Sequence, residues 1–386
     1  MKSFLFSTVP DTHVGPGSVS KLGDIADELN LKNLLLVSDP GIQKAGLLEV
    51  ALTSLASKNI TVSLFVDVEA DPSDKIIQQG FEQLKRDNCD GVIGLGGGSS
   101  MDVAKVIAVL AKEQQVLAEI YGVDNIRSGR LPLIQIPTTA GTGSEATMVS
   151  VVTTGETTKS GVVSRSLLGD AIILDPELTL GLPAHITAAT GIDAMVHAIE
   201  SFTSVRLKNP ISDMLAKEAL RLLSGSIRVA VKDGSNVKAR SDMLLGAMYA
   251  GQAFANAPVA AVHALAYPLG GYYHIPHGLS NSLVLPHVLR FNGRDADDLY
   301  AELVPCISDC QPNSAEHVSQ PAEMMAEYFL ELAKDLGIPT TLQAMNIEKG
   351  DLDMLAEAGM QQQRLLINNP REVSYADAQA IYNAAY

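Results

Sequence analysis

Cysteine is scarce: the chain of 386 residues holds only three, an odd number. That leaves no disulfide framework and predicts a reducing compartment. Positive charge is also short, with Lys+Arg 28 against Asp+Glu 44 and a net charge of −16. The balance argues against nucleic acid or an anionic membrane as the main partner. No apolar run approaches the roughly 20 residues that a membrane span requires. The opening MKSFLFSTVP has a single lysine and an apolar stretch shorter than a signal-peptide core, broken by Pro10. Internal repeats and low-complexity tracts are lacking too. What is present is a globular composition, 46% hydrophobic and 19% charged. The length suits two ordinary domains or one large one, and buries enough surface to fold without cross-links. A soluble, acidic, cytoplasmic protein is expected.

The first half alternates between two periods. Leu34 to Ser38, Thr61 to Val66, Gly91 to Leu95 and Leu133 to Ile136 are short apolar runs that end in turns, and they read as strands. Between them, apolar residues recur at three and four: Leu47, Leu48, Ala51, Leu52 and Leu55, then Ile76, Ile77, Phe81 and Leu84, then Met101 to Ala111. Strand and helix in turn, with continuously apolar strands, predict a parallel sheet covered on both faces. After Leu182-Pro183 the texture changes to helix formers, as in ISDMLAKEALRLLSGSIRVAV. The expected fold is therefore an α/β domain over 1–183 followed by an all-helical domain over 184–386.

Two loops of the α/β half carry chemistry. Gly94-Leu95-Gly96-Gly97-Gly98-Ser99-Ser100 leaves the third strand and enters a helix expected from Met101. Consecutive glycines let a backbone approach an anion, and a helix N-terminus adds free N–H groups and a positive dipole end. The spacing is neither Gly-x-Gly-x-x-Gly nor a P-loop, so a tight turn serving only its own geometry stays open. Pro137 to Glu145 follows the fourth strand with four hydroxyls and two glycines, suited to ligand contacts in the sheet crevice or to a solvated loop. Asp39 ends the first clear strand, where a carboxylate can accept from a ribose 2′-hydroxyl and repel a 2′-phosphate, or simply make a turn.

The helical half carries a different set. Asp193 and His197 lie four apart in GIDAMVHAIE, on one helix face. Alone they fit a surface pair. Of the eight histidines, however, His263, His274, His277 and His287 fall in one short stretch. Imidazole with carboxylate is a ligand set for iron or zinc. His263 and His277 have small neighbours, and Pro276 fixes the backbone before His277, which favours it over His274. His274 is then expected to line the pocket or act behind the ligands. His287 reads as part of a packed helix, and Cys306 and Cys310, one turn apart with no further thiols nearby, as ordinary helix residues.

In order and spacing, GGGSSMDVAK, PTTAGTGSEAT, ILDPELT, ATGIDAMVHAIES and HALAYPLGGYYHIPHG resemble the motifs of the iron-containing (group III) alcohol dehydrogenases, nearly end to end. The resemblance implies a Rossmann-like domain plus a helical domain, the architecture shared with dehydroquinate synthases, and an active site between them. It implies NAD and a divalent metal, commonly Fe(2+) and in some members Zn(2+). By motif, the metal ligands are Asp193, His197, His263 and His277. Gly96, Gly97, Gly98, Ser99 and Ser100 match the pyrophosphate loop, and Thr138, Thr139 and Thr142 line the cofactor. Asp39 matches a carboxylate linked to NAD preference, Lys159 a basic cofactor contact, and Leu178 a segment passing near it. Tyr267 stands where many relatives have a histidine tied to proton relay, so a His-based relay does not carry over. Tyr267 and His274 are the catalytic candidates.

The implied activity is NAD(P)-linked interconversion of primary alcohols and aldehydes by hydride transfer, with a divalent metal activating the alcohol oxygen. A homodimer acting on a small alcohol or aldehyde follows from the same resemblance. The competing reading is a metal-dependent, NAD-using lyase or cyclase of the dehydroquinate synthase type. Its multiply charged substrate would need several Lys and Arg, and these are few between 186 and 290.

Overall fold

The computed structural model describes residues 3–112, 115–127, 129–154, 158–310 and 320–386, with the side chains of Thr158 and Lys159 outside the description. The chain divides into two compact units, Ser7–Leu182 and Pro183–Tyr386, the latter counting Met1–Phe6 with it.

Among the described residues, nine strands order the first unit: β1 (Asp11–Val14), β2 (Asn33–Val37), β3 (Thr61–Phe65), β4 (Gly91–Gly96), β5 (Gly122–Val123), β6 (Leu133–Pro137), β7 (Val149–Thr154), β8 (Thr158–Val163) and β9 (Ala171–Leu174). Six form a sheet in the order β1-β9-β6-β4-β2-β3, parallel throughout. The helices described with them are α1 (Leu22–Glu28), α2 (Pro40–Lys44), α3 (Leu48–Ala56), α4 (Asp74–Arg86), α5 (Gly98–Leu110) and α6 (Leu117–Ile120). The pleat explains the apolar runs. Leu35, Val37 and Val92 pack into one cluster with Ile77 and Leu84 of α4 and Val103, Val106 and Ile107 of α5. Leu34, Leu36, Ile93 and Leu95 face the other side, with Leu22 and Ile25 of α1 and Leu48 and Leu55 of α3. Both faces are dry, so strict alternation of polar residues has no place in these strands.

Three elements differ from expectation. β7 and β8 pair antiparallel, and with β5 form a small second sheet. No strands are expected here from the sequence, because the Thr- and Ser-containing, half-buried residues of β7 make no continuous apolar run. Helix α5 begins at Gly98 rather than Met101, so Gly98, Ser99 and Ser100 form its first turn. Cys306 lies in a 3-10 turn (Val304–Cys306) and Cys310 beyond it, not on a continuing helix, because Pro305 falls at its start. The three cysteines are free.

The second unit is helical: α7 (Ala184–Thr203), α8 (Pro210–Lys232), α9 (Val237–Asn256), α10 (Ala261–Tyr273), α11 (His277–Leu303), α12 (Pro321–Asp335), α13 (Leu352–Met360), α14 (Gln363–Leu366) and α15 (Tyr375–Ala385). Helix α7 is the axis, packed by α8, α9 and α11. Every residue from Gly191 to Thr203 is buried. Asp193, His197 and Glu200 therefore sit in the middle of a core, where a polar side chain without a partner costs several kcal/mol, on the order of 2–7. No helix of the described residues is long and apolar enough to cross a membrane.

Candidate active site

The sheet order reverses between β2 and β4, because β3 lies outside β2 and the chain then crosses back to β4. In such sheets, ligands bind beyond the carboxyl ends of the strands at that reversal. The loops singled out in the sequence follow β2, β4 and β6, which are neighbours there. Asp39 follows β2: its Oδ1 caps α2, accepting from Gly41 N–H (2.9 Å) and Ile42 N–H (3.0 Å), while Oδ2 lies 3.4 Å from Ser100 Oγ. Gly96 ends β4, and its carbonyl accepts from Thr138 N–H at 2.9 Å, which ties the loop after β4 to the loop after β6. A Cβ on Gly98 would stand 2.8 Å from Thr142 Cγ2, so the two loops close on each other only because residue 98 has none. Gly97 is the N-cap of α5, and no side chain caps the helix, so its first N–H groups stay available to an anion. Ser99 and Thr139 are half buried beside this end.

Three further residues have different places. Leu178 lies in a 3-10 turn after β9, and its side chain is buried in the apolar cluster with Leu34, Leu36 and Ile136. Its side chain packs the core. Lys159 sits on β8 opposite Thr153, but its side chain lies outside the described residues. Behind the loops is a buried polar knot that the sequence reading missed. Lys105 Nζ donates to Ser144 Oγ (2.8 Å), Thr147 Oγ1 (3.0 Å) and the Val149 carbonyl (2.8 Å). Asp102 accepts from Ser144 Oγ (2.5 Å) and Val151 N–H (2.9 Å). Both side chains come from α5, three residues apart, so the helix that opens at Gly98 also anchors the second loop. Burial pushes the Lys105 ammonium pKa down against the pull of Asp102 and Glu145.

In the helical unit, Asp193, His197, His263 and His277 each offer one ligand atom, and the four atoms lie within 4.8 Å of one another. Asp193 Oδ1 stands 3.9 Å from His197 Nε2, 3.9 Å from His263 Nε2 and 3.7 Å from His277 Nε2. These separations are too long for hydrogen bonds between the four. Bonds of about 2.0–2.2 Å from a single cation would place its ligand atoms about 3–3.5 Å apart, so a divalent transition metal fits with a small inward shift. Helix geometry builds the group. Asp193 and His197 share a face of α7, His263 comes from the first turn of α10, and His277 opens α11 after Pro276. A Cβ on Gly278 would stand 2.3 Å from the Ala189 carbonyl oxygen, so glycine lets α11 approach α7 closely enough for its neighbour His277 to reach Asp193.

Two buried residues absent from the sequence reading surround the four. Glu200 Oε2 is 2.6 Å from His263 Nδ1, and its carboxylate accepts from Ala260 N–H (2.9 Å) and Val262 N–H (2.6 Å). An acid on Nδ1 places that proton there and leaves the Nε2 lone pair facing the centre. Asn281 Nδ2 donates to Asp193 Oδ1 at 2.6 Å and lies 3.3 Å from both His263 Nε2 and His277 Nε2. Burial opposes the Asp193 charge, but His197, His277, His263 and Asn281 outweigh it and hold the carboxyl below its usual range. Both partners were available to spacing arguments: Glu200 is three residues past His197, and Asn281 four past His277.

Aromatic rings wall the centre. Phe254 stacks on His197 with centroids 4.5 Å apart, and Tyr267 is tilted against His277 at 5.8 Å. Burial pushes the Tyr267 phenol up, against the pull of Arg364. His274 is not one of the converging four. It is exposed, in the left-handed region at φ 54°, and ends α10.

Residues 10–176 match the model of the iron-containing alcohol dehydrogenase family, and residues 187–386 match that of its C-terminal domain. The chain belongs to the iron-containing alcohol dehydrogenase family. A long-chain-alcohol dehydrogenase of Geobacillus thermodenitrificans is 40% identical over 380 residues, 98% of this chain and 95% of the relative. The crystal structure of a 1,3-propanediol oxidoreductase superposes with a TM-score of 0.95 at 34% identity, covering 100% of both chains. A sulfoacetaldehyde reductase of Bifidobacterium kashiwanohense, solved with NAD+, gives 0.89 at 28% identity, covering 100% of this chain and 99% of that one. The alcohol dehydrogenase assignment, with NAD and iron as cofactors, follows from this membership, and the lyase alternative is not favoured.

Proposed function

We propose that this iron-containing alcohol dehydrogenase reversibly oxidises small primary alcohols to aldehydes, with Asp193, His197, His263 and His277 as its iron ligands. The observation that carries this reading is the convergence of one carboxylate and three imidazoles within 4.8 Å, three of them buried and His277 half-buried. Zinc suits the same donors, so supply decides between the metals. When bound, the divalent metal supplies the charge that lowers an alcohol's hydroxyl pKa, and NAD supplies the hydride acceptor.

The chain's own side chains do the rest. Glu200 orients His263, and Asn281 steadies the Asp193 oxygen that faces the imidazoles. Phe254 and Tyr267 shield the centre from water, which strengthens every charge interaction within it. The raised pKa of Tyr267 keeps a proton on its Oη at neutral pH, available to a substrate oxygen. For the dinucleotide, the uncapped α5 terminus with Gly96, Gly97, Gly98, Ser99 and Ser100 suits the pyrophosphate, and Thr138, Thr139 and Thr142 adjoin it. Asp39 Oδ2, held only by a long 3.4 Å bond from Ser100 Oγ, suits a ribose hydroxyl and disfavours a 2′-phosphate, hence NAD over NADP. Lys159 as a cofactor contact and His274 as a pocket residue rest on the sequence alone.

A cytoplasmic setting is supported by the free thiols and the net negative charge, and a homodimer by family resemblance. Anaerobic protein reconstituted with iron(II), NAD+ and a panel of primary alcohols should produce NADH. Asp193→Ala should lose both metal and turnover while keeping its helical circular dichroism. Metal and turnover retained in that variant would overturn the assignment.

A further inference from the structure

One buried charge has no task in hydride transfer. Lys105 lies in the second turn of α5, and none of its side chain is exposed. An ammonium is retained at such a depth only where its protons are taken up. All three are. Ser144 Oγ accepts at 2.8 Å, Thr147 Oγ1 at 3.0 Å and the Val149 carbonyl at 2.8 Å, and Asp102 Oδ1 stands 3.5 Å away as counter-charge.

The three acceptors follow directly on the loop that closes over the α5 N-terminus, and Ser144 is the link. Its hydroxyl accepts from Lys105 and donates to Asp102 Oδ1 at 2.5 Å, while its backbone N–H donates to Thr142 Oγ1 at 3.2 Å. Thr142 in turn lies against Gly98, the first residue of α5, where a Cβ would meet its Oγ1 at 3.0 Å. The path leaves α5 in its second turn and returns to it in its first. Asp102 extends the brace to β7: Oδ2 accepts from Val151 N–H at 2.9 Å, and its backbone carbonyl accepts from Ser150 Oγ at 3.1 Å. Gly141 and Gly143 flank Thr142, with Gly143 at φ 59°. Such a loop has many conformations to lose, and a buried cation with three fixed acceptors selects one.

We propose that Lys105 is a positioning residue for the dinucleotide: by clamping Ser144, Thr147 and Val149 it fixes Thr142 against the first turn of α5, and so sets the affinity for NAD. It acts through Ser144 rather than on the cofactor. The inference rests on the dinucleotide site proposed above and adds the residue that holds its two loops in register.

The test compares wild type with Lys105→Met, Ser144→Ala and Val106→Ala. Methionine keeps the length of the stem and removes the donors. Val106 is buried on the same helix and has no polar group to bond the loop, so its truncation is a control for lost core packing. Fluorescence titration should give an NADH Kd raised about 10- to 100-fold in Lys105→Met, a smaller rise in Ser144→Ala, and wild-type affinity in Val106→Ala. With the iron(II)-loaded enzyme and 1-butanol, KM for NAD+ should rise by the same factor in Lys105→Met. Its kcat at saturating NAD+ and its metal content should hold, a split that general loss of folding does not produce. Hydrogen exchange over 137–144, measured without cofactor, should quicken in Lys105→Met and not in Val106→Ala. Unchanged NADH affinity or unchanged exchange in a folded Lys105→Met overturns the proposal. If that variant does not fold, wild-type affinity in Ser144→Ala overturns it instead. A wild type that binds no NADH, with exchange still quickened in Lys105→Met, would sink the dinucleotide reading while keeping the clamp.

Discussion

Glu200 and His263 are bound to each other inside the helical core, Oε2 to Nδ1 at 2.6 Å, both side chains almost fully buried. The pair joins α7 to the start of α10 and selects the imidazole tautomer whose Nε2 faces Asp193. Glu200→Gln keeps the shape but weakens the acceptor on Nδ1. It should lower metal affinity about 10- to 100-fold, measured by chelator competition. Unchanged affinity would mean the pair serves folding alone.

Gly278 is the tightest helix contact at the centre. Gly278→Ala forces a methyl to within 2.3 Å of the Ala189 carbonyl, and backbone on both sides must shift. About 1–3 kcal/mol of stability should be lost in denaturant unfolding. Metal content should fall as well, because His277 is the adjacent residue. A variant of normal stability and full metal content would contradict this.

Gly98 is the counterpart between the two loops of the α/β unit. Gly98→Val should move Thr142 and weaken NADH binding at least about tenfold, read by fluorescence titration. Metal content should stay at the wild-type level. Parallel loss of both ligands would point to general misfolding instead.

Glu145 gives a pH dependence of stability. Burial raises its carboxyl from the ordinary 4.5 to about 7, with its own backbone N–H and Lys105 pulling it down, and Oε2 has no hydrogen-bond partner among the described residues. Below the ordinary value, folded and unfolded chains both hold the proton. Between the two values only the folded chain holds it, so stability is lost as pH rises toward 7, by up to about 1.4 kcal/mol per pH unit. Glu145→Gln stays neutral. Its melting temperature relative to wild type should therefore rise between about pH 5 and about pH 8. A constant difference across that range would show that Glu145 is ionised in the folded protein.

The central strands were readable because β2, β4 and β6 are buried on both faces, and a dry sheet leaves an apolar run that no other element imitates at that length. The β7–β8 hairpin was not, since its residues satisfy a half-exposed surface and carry no such run. At the site, the pairs that share a helix turn were legible from spacing, as with Asp193 and His197. At Leu178, motif position pointed to a segment near the cofactor, and the burial of its side chain in the core was not legible from that position.

The sequence by itself determined the layered α/β half, the helical half and the residue types able to hold iron, because hydrophobic period and side-chain chemistry are local properties. Only tertiary structure decided that three separate helices meet at one point and that Glu200 and Asn281 stand behind the ligands. Those relationships depend on how closely backbones approach, and a linear order of residues carries no distance between helices.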